Sequence, residues 1–291
     1  MTLQGPVLVG TDLSPASDEA LRQAASLATG LGSRLIACHV VPELIPDGSV
    51  LFTEFRRTNA NVNDSIVAAA RAAVDQQVNT VLGVDKTVDV ILESGTPHVG
   101  LLRQADETGS GVVVTAPGAV ALDVVRHASR AVLIARPSPQ GPVVGATDFS
   151  DPSQPALHTA AAEARRRRSA LHLLHAFDIG LFTLGESPAA AMPYLAGSSA
   201  IALEGLDNLR ALAKERLEAA LREVDLPGET AVIAGFAKDV IVHYAESVRA
   251  ELVVVGTHGR SGLSRLTLGS TAASVIESAP CAVLVVRLGV R

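Results

Sequence analysis

The stretch with the densest chemistry runs from Gly256 to Thr271, GTHGRSGLSRLTLGST. It follows an apolar run and opens a helix. Gly256 and Gly259 carry no Cβ, so the backbone can turn there and approach a ligand closely. Gly269, Ser270 and Thr271 fall at the start of that last helix. The N–H groups of a first turn lack partners, and the dipole favours negative charge there. Two hydroxyls complete a ready anion site. Thr257, His258, Arg260 and Arg265 add a hydroxyl and positive charge. The chemistry implied is phosphate binding. The bland alternative is an ordinary glycine-rich strand-to-helix loop, and the local residues leave both open. There is no GxxxxGK[ST] phosphate loop, and no GxGxxG follows the first strand of either half.

Two further groups sit at the ends of apolar runs. Thr11-Asp12-Leu13-Ser14 closes one, and Ala146-Thr147-Asp148-Phe149-Ser150 closes the other. Acids at such positions read as loop-capping residues. Asp148 shares its half with the glycine loop and so also suits a nucleotide role. His39 and His175 end equivalent runs and read as structural histidines near a crevice rim. No second His, Cys or carboxylate lies at ligand spacing, so metal ligation is unsupported. The one dense basic run, Arg165-Arg166-Arg167-Arg168, reads as a solvated helix end complementing the dipole, with an RNA or phosphate contact as the alternative.

These groups recur because the chain is duplicated. Thr11 and Thr147, Asp12 and Asp148, Ser14 and Ser150, Leu35 and Leu171, and His39 and His175 all match at one offset, 136 residues. The junction lies in Pro137-Ser138-Pro139-Gln140-Gly141-Pro142, which is rich in turn residues. The boundaries expected are 1–138 and 139–291. Each half alternates strand and helix. Strands are expected at Val7–Val9, Leu35–Val41, Val88–Leu92, Val112–Thr115 and Ala131–Ala135. In the second half they fall at Val143–Ala146, Leu171–Ala176, Thr230–Ala234, Leu252–Gly256 and Ala282–Val286. Helices intervene, the longest around Ala200–Glu223. Ser14-Pro15 suits an N-cap and first helical position. Unbroken Val/Leu/Ile strands mean burial on both faces, hence parallel sheets covered by helices. The fold class is α/β: two doubly wound, five-stranded, Rossmann-like domains. Ligands in such sheets sit beyond the carboxyl ends of strands where strand order reverses. Residues 178–199 read as a surface segment, or as a lid or partner surface.

Composition narrows the function classes. Of 291 residues, 48% are hydrophobic, enough for two cores. Aromatics are 3% with no Trp, and net charge is −6, which argues against stacking platforms and against a basic field for nucleic acid. Two cysteines far apart, Cys38 and Cys281, fit inert core thiols. Met1–Pro6 lacks a basic stretch before an apolar one, and no apolar run approaches a membrane span of roughly 18 residues. The expectation is a cytoplasmic protein with no membrane partner.

With these motifs in hand, the sequence resembles the universal stress protein family in its tandem form. Nucleotide-binding members carry G-x2-G-x9-G-[ST] after the fourth strand, and Gly256, Gly259, Gly269 and Ser270 fit that spacing. The T-D-[FL]-S ending of both first strands and the H-[VA] ending of both second strands match as well. The resemblance implies an adenine nucleotide α hydrolase-like fold with ATP held between strands one and four. It places Asp148 near the ribose and magnesium–phosphate region and the Ala176 backbone at adenine. Gly256 and Gly259 would meet ribose and phosphates, and Gly269, Ser270 and Thr271 the triphosphate. It further implies pairing of the final strands into an internal pseudo-dimer, with a homodimer or an unknown protein partner beyond it. The first half departs from the pattern. Thr115-Ala116-Pro117-Gly118-Ala119 runs almost at once into its last helix, about ten residues short, so its site reads as lost or reduced.

The function this implies is an ATP-binding regulator of the stress response, acting through nucleotide-dependent conformation or partner contact. A slow ATPase or adenine-nucleotide hydrolase is one rival, and a structural adaptor with incidental nucleotide is another. A dedicated hydrolase needs a base or a metal-held water in line with a phosphate. His258 and Asp148 are the obvious candidates, and nothing in the sequence orients them.

Overall fold

Val, Leu and Ile runs too short for helices pair into parallel ladders and bury both faces. The computed structural model describes residues 3–41, 60–177, 199–257 and 268–287. Two compact units divide the chain, essentially Thr2–Pro137 and Ser138–Leu288.

In the first unit the strands are β1 (Val7–Thr11), β2 (Leu35–Val41), β3 (Asp89–Ser94), β4 (Val112–Thr115) and β5 (Ala131–Ile134). They lie in the order β3-β2-β1-β4-β5, every neighbouring pair parallel. Helices α1 (Pro15–Leu31), α2 (Ala60–Leu82), α3 (Pro97–Glu107) and α4 (Ala119–His127) connect them. In the second unit β6 (Val143–Ala146), β7 (Leu171–Phe177), β8 (Gly228–Ala234), β9 (Leu252–Gly256) and β10 (Ala282–Val286) repeat the pattern as β8-β7-β6-β9-β10. Its helices are α5 (Gln154–Arg167), α6 (Ser199–Val224), α7 (Ala237–Ser247) and α8 (Ser270–Ser278). The central strands carry the cores: Val7–Val9, Val112–Val114 and Leu252–Val254 are wholly shielded from solvent.

Local chemistry sets the helix ends. Ser14 caps α1 by accepting the Ser17 N–H, Pro15 fills the first turn, and Gly32 ends the helix in the left-handed region at φ 60°. The second unit differs in both places. A 3-10 turn at Asp151–Ser153 precedes α5, and Arg168 takes the left-handed cap at φ 57° without being glycine. β1 runs on to Thr11, two residues past the apolar run, because Thr11 pairs with His39 on β2. β8 begins at Gly228, two residues before the expected Thr230, because Gly228 pairs with Leu171.

The arginine run is a helix end, as expected, but it is not merely solvated. Arg166 and Arg167 are 13% exposed and both bond the Glu163 carboxylate, itself 5% exposed. Arg167 Nη1 reaches Glu251 Oε1 at 2.5 Å, and Ser169 Oγ donates to Glu251 Oε2 at 3.0 Å. Arg165 donates to the Val224 carbonyl at the end of α6. The run ties α5, β9 and α6 together.

Cys38 lies fully buried in β2. Burial, with the Glu93 carboxylate nearby, pushes its thiol up to about 12. A thiol held that far above neutrality has almost no thiolate to react. Since Cys281 is buried as well, Ellman-type titration of the native chain at neutral pH is expected to find no accessible thiol and both after denaturation. Rapid native labelling of Cys38 would contradict the packing described.

Candidate functional site

In the second unit the chain runs from β6 to β7 and β8 on one side, then returns to place β9 and β10 on the other. The carboxyl ends of β6 and β9 therefore flank a switch point, where α/β sheets form ligand crevices.

At the end of β6, Ala146 and Thr147 are buried and a tight turn follows. Asp148 Oδ1 accepts the Ser150 N–H at 3.0 Å and the Ser150 hydroxyl at 2.5 Å. Phe149 stands at φ 61°, with its N–H donated to Thr147 Oγ1 at 2.9 Å. Thr147 Oγ1 also meets Ser153 Oγ at 2.8 Å. From β7, His175 Nδ1 lies 2.8 Å from the Thr147 carbonyl, which makes that nitrogen the donor. The Phe149 ring packs on the His175 ring at 4.4 Å between centroids. Ala176 is the next residue of β7, half-buried at its carboxyl end. His175 is thus structural, as its position in the sequence suggests.

At the end of β9, Gly256 leads to Thr257, which is buried and donates its N–H to the Val286 carbonyl at 3.1 Å. Gly269 N–H donates to the Thr257 carbonyl at 2.9 Å. Thr257 and Gly269 are therefore pinned together, and the chain between them leaves and returns at one point beside the crevice. His258, Gly259 and Arg260 belong to that segment and lie outside the described residues, as do Arg265 and most of 178–199. Gly269 caps α8 with no side-chain bond. The first helical bond runs from Ala273 N–H to the Gly269 carbonyl at 3.0 Å. The N–H groups of Ser270, Thr271 and Ala272 consequently have no acceptor within α8. Ser270 is exposed and Thr271 half-buried. A helix start whose first N–H groups have no acceptor within the helix, beside a strand end, matches an anionic group in charge and in hydrogen bonding. Among the described residues no group of three or more His, Cys, Asp and Glu could hold a metal ion.

The first unit repeats the turn but not the loop. Asp12 Oδ1 accepts the Ser14 N–H at 3.0 Å, Leu13 stands at φ 64°, and His39 Nδ1 lies 2.8 Å from the Thr11 carbonyl. Burial raises the Asp12 pKa, but bonds from the Ser14 side chain and backbone outweigh it and hold the carboxyl below its usual value. A depressed acid stabilises the fold above its unfolded pKa and loses that contribution as pH falls through the folded one. Wild type and Asp12→Ala should therefore differ in melting temperature at neutral pH and converge as pH falls below about 4. A constant gap down to strongly acid pH would contradict this assignment. Gly118, the N-cap of α4, lies six residues after Val112, whereas Gly269 lies seventeen after Leu252. The missing loop is thus eleven residues, and Pro117, which has no N–H, stands in place of Thr257.

One pair of residues escaped the sequence. Among the described residues, Val74 and Val78 are the buried pair of α2, and Ala213 and Leu217 that of α6. That register aligns Gln77 with Arg216. Gln77 closes the first turn on itself: its Oε1 accepts from Thr11 Oγ1 at 2.6 Å, and its Nε2 donates to Asp18 at 2.6 Å and Ser17 at 3.1 Å. Arg216 instead lies over the Phe149 ring, 5.7 Å from its centroid, a cation–π contact.

The family model described as "Universal stress protein family" matches residues 5–136 and again 141–287. The chain belongs to the universal stress protein family, in tandem form. A universal stress protein of Methanocaldococcus jannaschii is 32% identical over 145 residues, 50% of this chain and 81% of that one. One from Mycobacterium tuberculosis is 29% identical and aligns with 97% of this chain and 95% of its own length. The crystal structure of a universal stress protein from Archaeoglobus fulgidus superposes on 97% of this chain and 98% of its own, with a TM-score of 0.64 at 19% identity. That likeness concerns the fold. No described helix of this universal stress protein is long and apolar enough to cross a membrane.

Proposed function

We propose that the second universal stress protein domain binds ATP with magnesium, and that the chain is a cytoplasmic regulator acting through nucleotide-dependent contact with a protein partner. The observation that carries the proposal is the pairing, at one switch point, of the Asp148 turn with the uncapped start of α8. In this reading the Asp148 carboxylate takes the ribose hydroxyls and lies near the magnesium. The Ala176 backbone meets adenine. Gly256 and Gly259 let the ribose and first phosphates approach, and Gly269, Ser270 and Thr271 hold the terminal phosphates. Thr257, His258 and Arg260 line the same loop. Magnesium is carried mainly by the phosphates. The first domain, 1–138, is proposed to hold no ATP, and the second, 139–291, to hold one.

The test is the nucleotide released by acid from freshly purified chain. Intact ATP is expected. ADP alone after incubation with ATP would favour the hydrolase, and an empty chain the adaptor. Steady-state hydrolysis is expected below about 1 s⁻¹, the low end of ordinary enzymes. A faster rate would mean that a base such as Asp148 or His258 acts in line with a phosphate.

A further inference from the structure

The first unit has a cleft at the amino ends of β2 and β3, opposite the switch point. Its volume is about 410 Å³, and it opens between the ends of α1 and α2. Ala28, Leu35, Leu82 and Val88 give it an apolar floor, and Arg34 and Lys86 stand on its walls. The carbonyls of Ala28 and Thr29 are already taken by the N–H groups of Gly32 and Ser33. The polar groups left to a ligand are therefore mostly donors: a guanidinium, an ammonium and hydroxyls. One carboxylate, Asp89, pairs with Arg34 across 3.2 Å, and both are exposed enough to exchange partners.

The duplicated chain supplies the comparison. Gly32 and Ser33 N–H groups cap α1 as those of Arg168 and Ser169 cap α5. Thr29 therefore corresponds to Arg165. In the second unit the Arg165 guanidinium spans from α5 to the Val224 carbonyl at the end of α6. The first unit has only the short Thr29 side chain at that position, too short to make the same bridge. Ser169 Oγ spends its proton on Glu251. Ser33 has lost that acceptor: Gly111 N–H bonds Pro6 as Glu251 N–H bonds Pro142, so glycine stands where Glu251 does. The Ser33 hydroxyl is buried beside the cleft with no hydrogen-bond partner among the described residues. Ala170 likewise stands where the first unit has Arg34. In one copy an arginine bridges the two helix ends; in the other that bridge is missing, and the cleft carries two cations on its walls.

We propose that this cleft binds a small anion with an apolar body, a carboxylate or phosphate ester held by Arg34 and Lys86 over the apolar floor. The probe is anilinonaphthalene sulfonate, which combines an aromatic body with a fixed anion, titrated into the full chain and read by fluorescence. Saturable binding is expected. Thr29→Arg, which installs the second unit's tie, should weaken it roughly tenfold or more, as should the double variant Arg34→Ala, Lys86→Ala, which removes both charged hydrogen-bond donors. All three residues are exposed, so the variants should melt like the wild type. Wild-type affinity in either variant, or no saturable binding to the unmodified chain, would overturn the proposal.

Discussion

ATP titrated calorimetrically into the full chain is expected to bind with a stoichiometry of one. Asp148→Ala should weaken that binding by about 2 kcal/mol, the scale of hydrogen bonds to a charged group. Asp12→Ala should leave it unchanged. The two aspartates have the same local turn, each accepting the N–H of the serine two residues on at 3.0 Å. Their difference lies in what stands opposite. The strand beside β6 is β9, and eleven residues separate Thr257 from Gly269 at the start of α8. The strand beside β1 is β4, and Pro117 leads directly to Gly118 at the start of α4. Ser270→Ala should cost about 1 kcal/mol, one neutral donor. A stoichiometry of two, or equal losses from both aspartate variants, would place the ligand elsewhere.

The second large effect is on stability. Glu163→Ala should destabilise the fold by about 3 kcal/mol or more, because it leaves two poorly solvated guanidiniums without their carboxylate. Both guanidiniums share the Glu163 carboxylate, and Arg167 also pairs with Glu251. Glu19→Ala is the comparison. Its partner Arg22 is 54% exposed, and exposed pairs of that kind contribute about 0–1 kcal/mol. Urea denaturation of both variants measures the gap. Equal midpoints would mean that the Glu163 network adds nothing beyond an exposed pair.

Much of this was legible because the chain states its fold twice. A constant offset aligns β1 with β6, α1 with α5 and β2 with β7, so every reading in one half checks the other. Thr-Asp-x-Ser was readable as a turn since Asx geometry is local and needs only residues i to i+2. Gln77 and Arg216 were not readable. The connections after β2 and β7 differ in length, so the offset changes before α2 and α6, and only the buried pairs restore it. The arginine run misled for another reason: its partners, Glu251 and the Val224 carbonyl, are 84 and 59 residues away in the chain. Composition at a helix end cannot reveal who sits across from it. The strand ends erred by two residues because pairing, rather than apolarity, decides where a ladder stops.

One nucleotide is proposed to bind, and to bind in the second domain. Crystals of the full chain grown with magnesium and ATP test it most directly. Density for a single nucleotide is expected between the carboxyl ends of β6 and β9, its terminal phosphates at Gly269, Ser270 and Thr271 and its ribose at Asp148. Nucleotide density at the carboxyl ends of β1 and β4, or an empty second-domain crevice at saturating ATP, would contradict it.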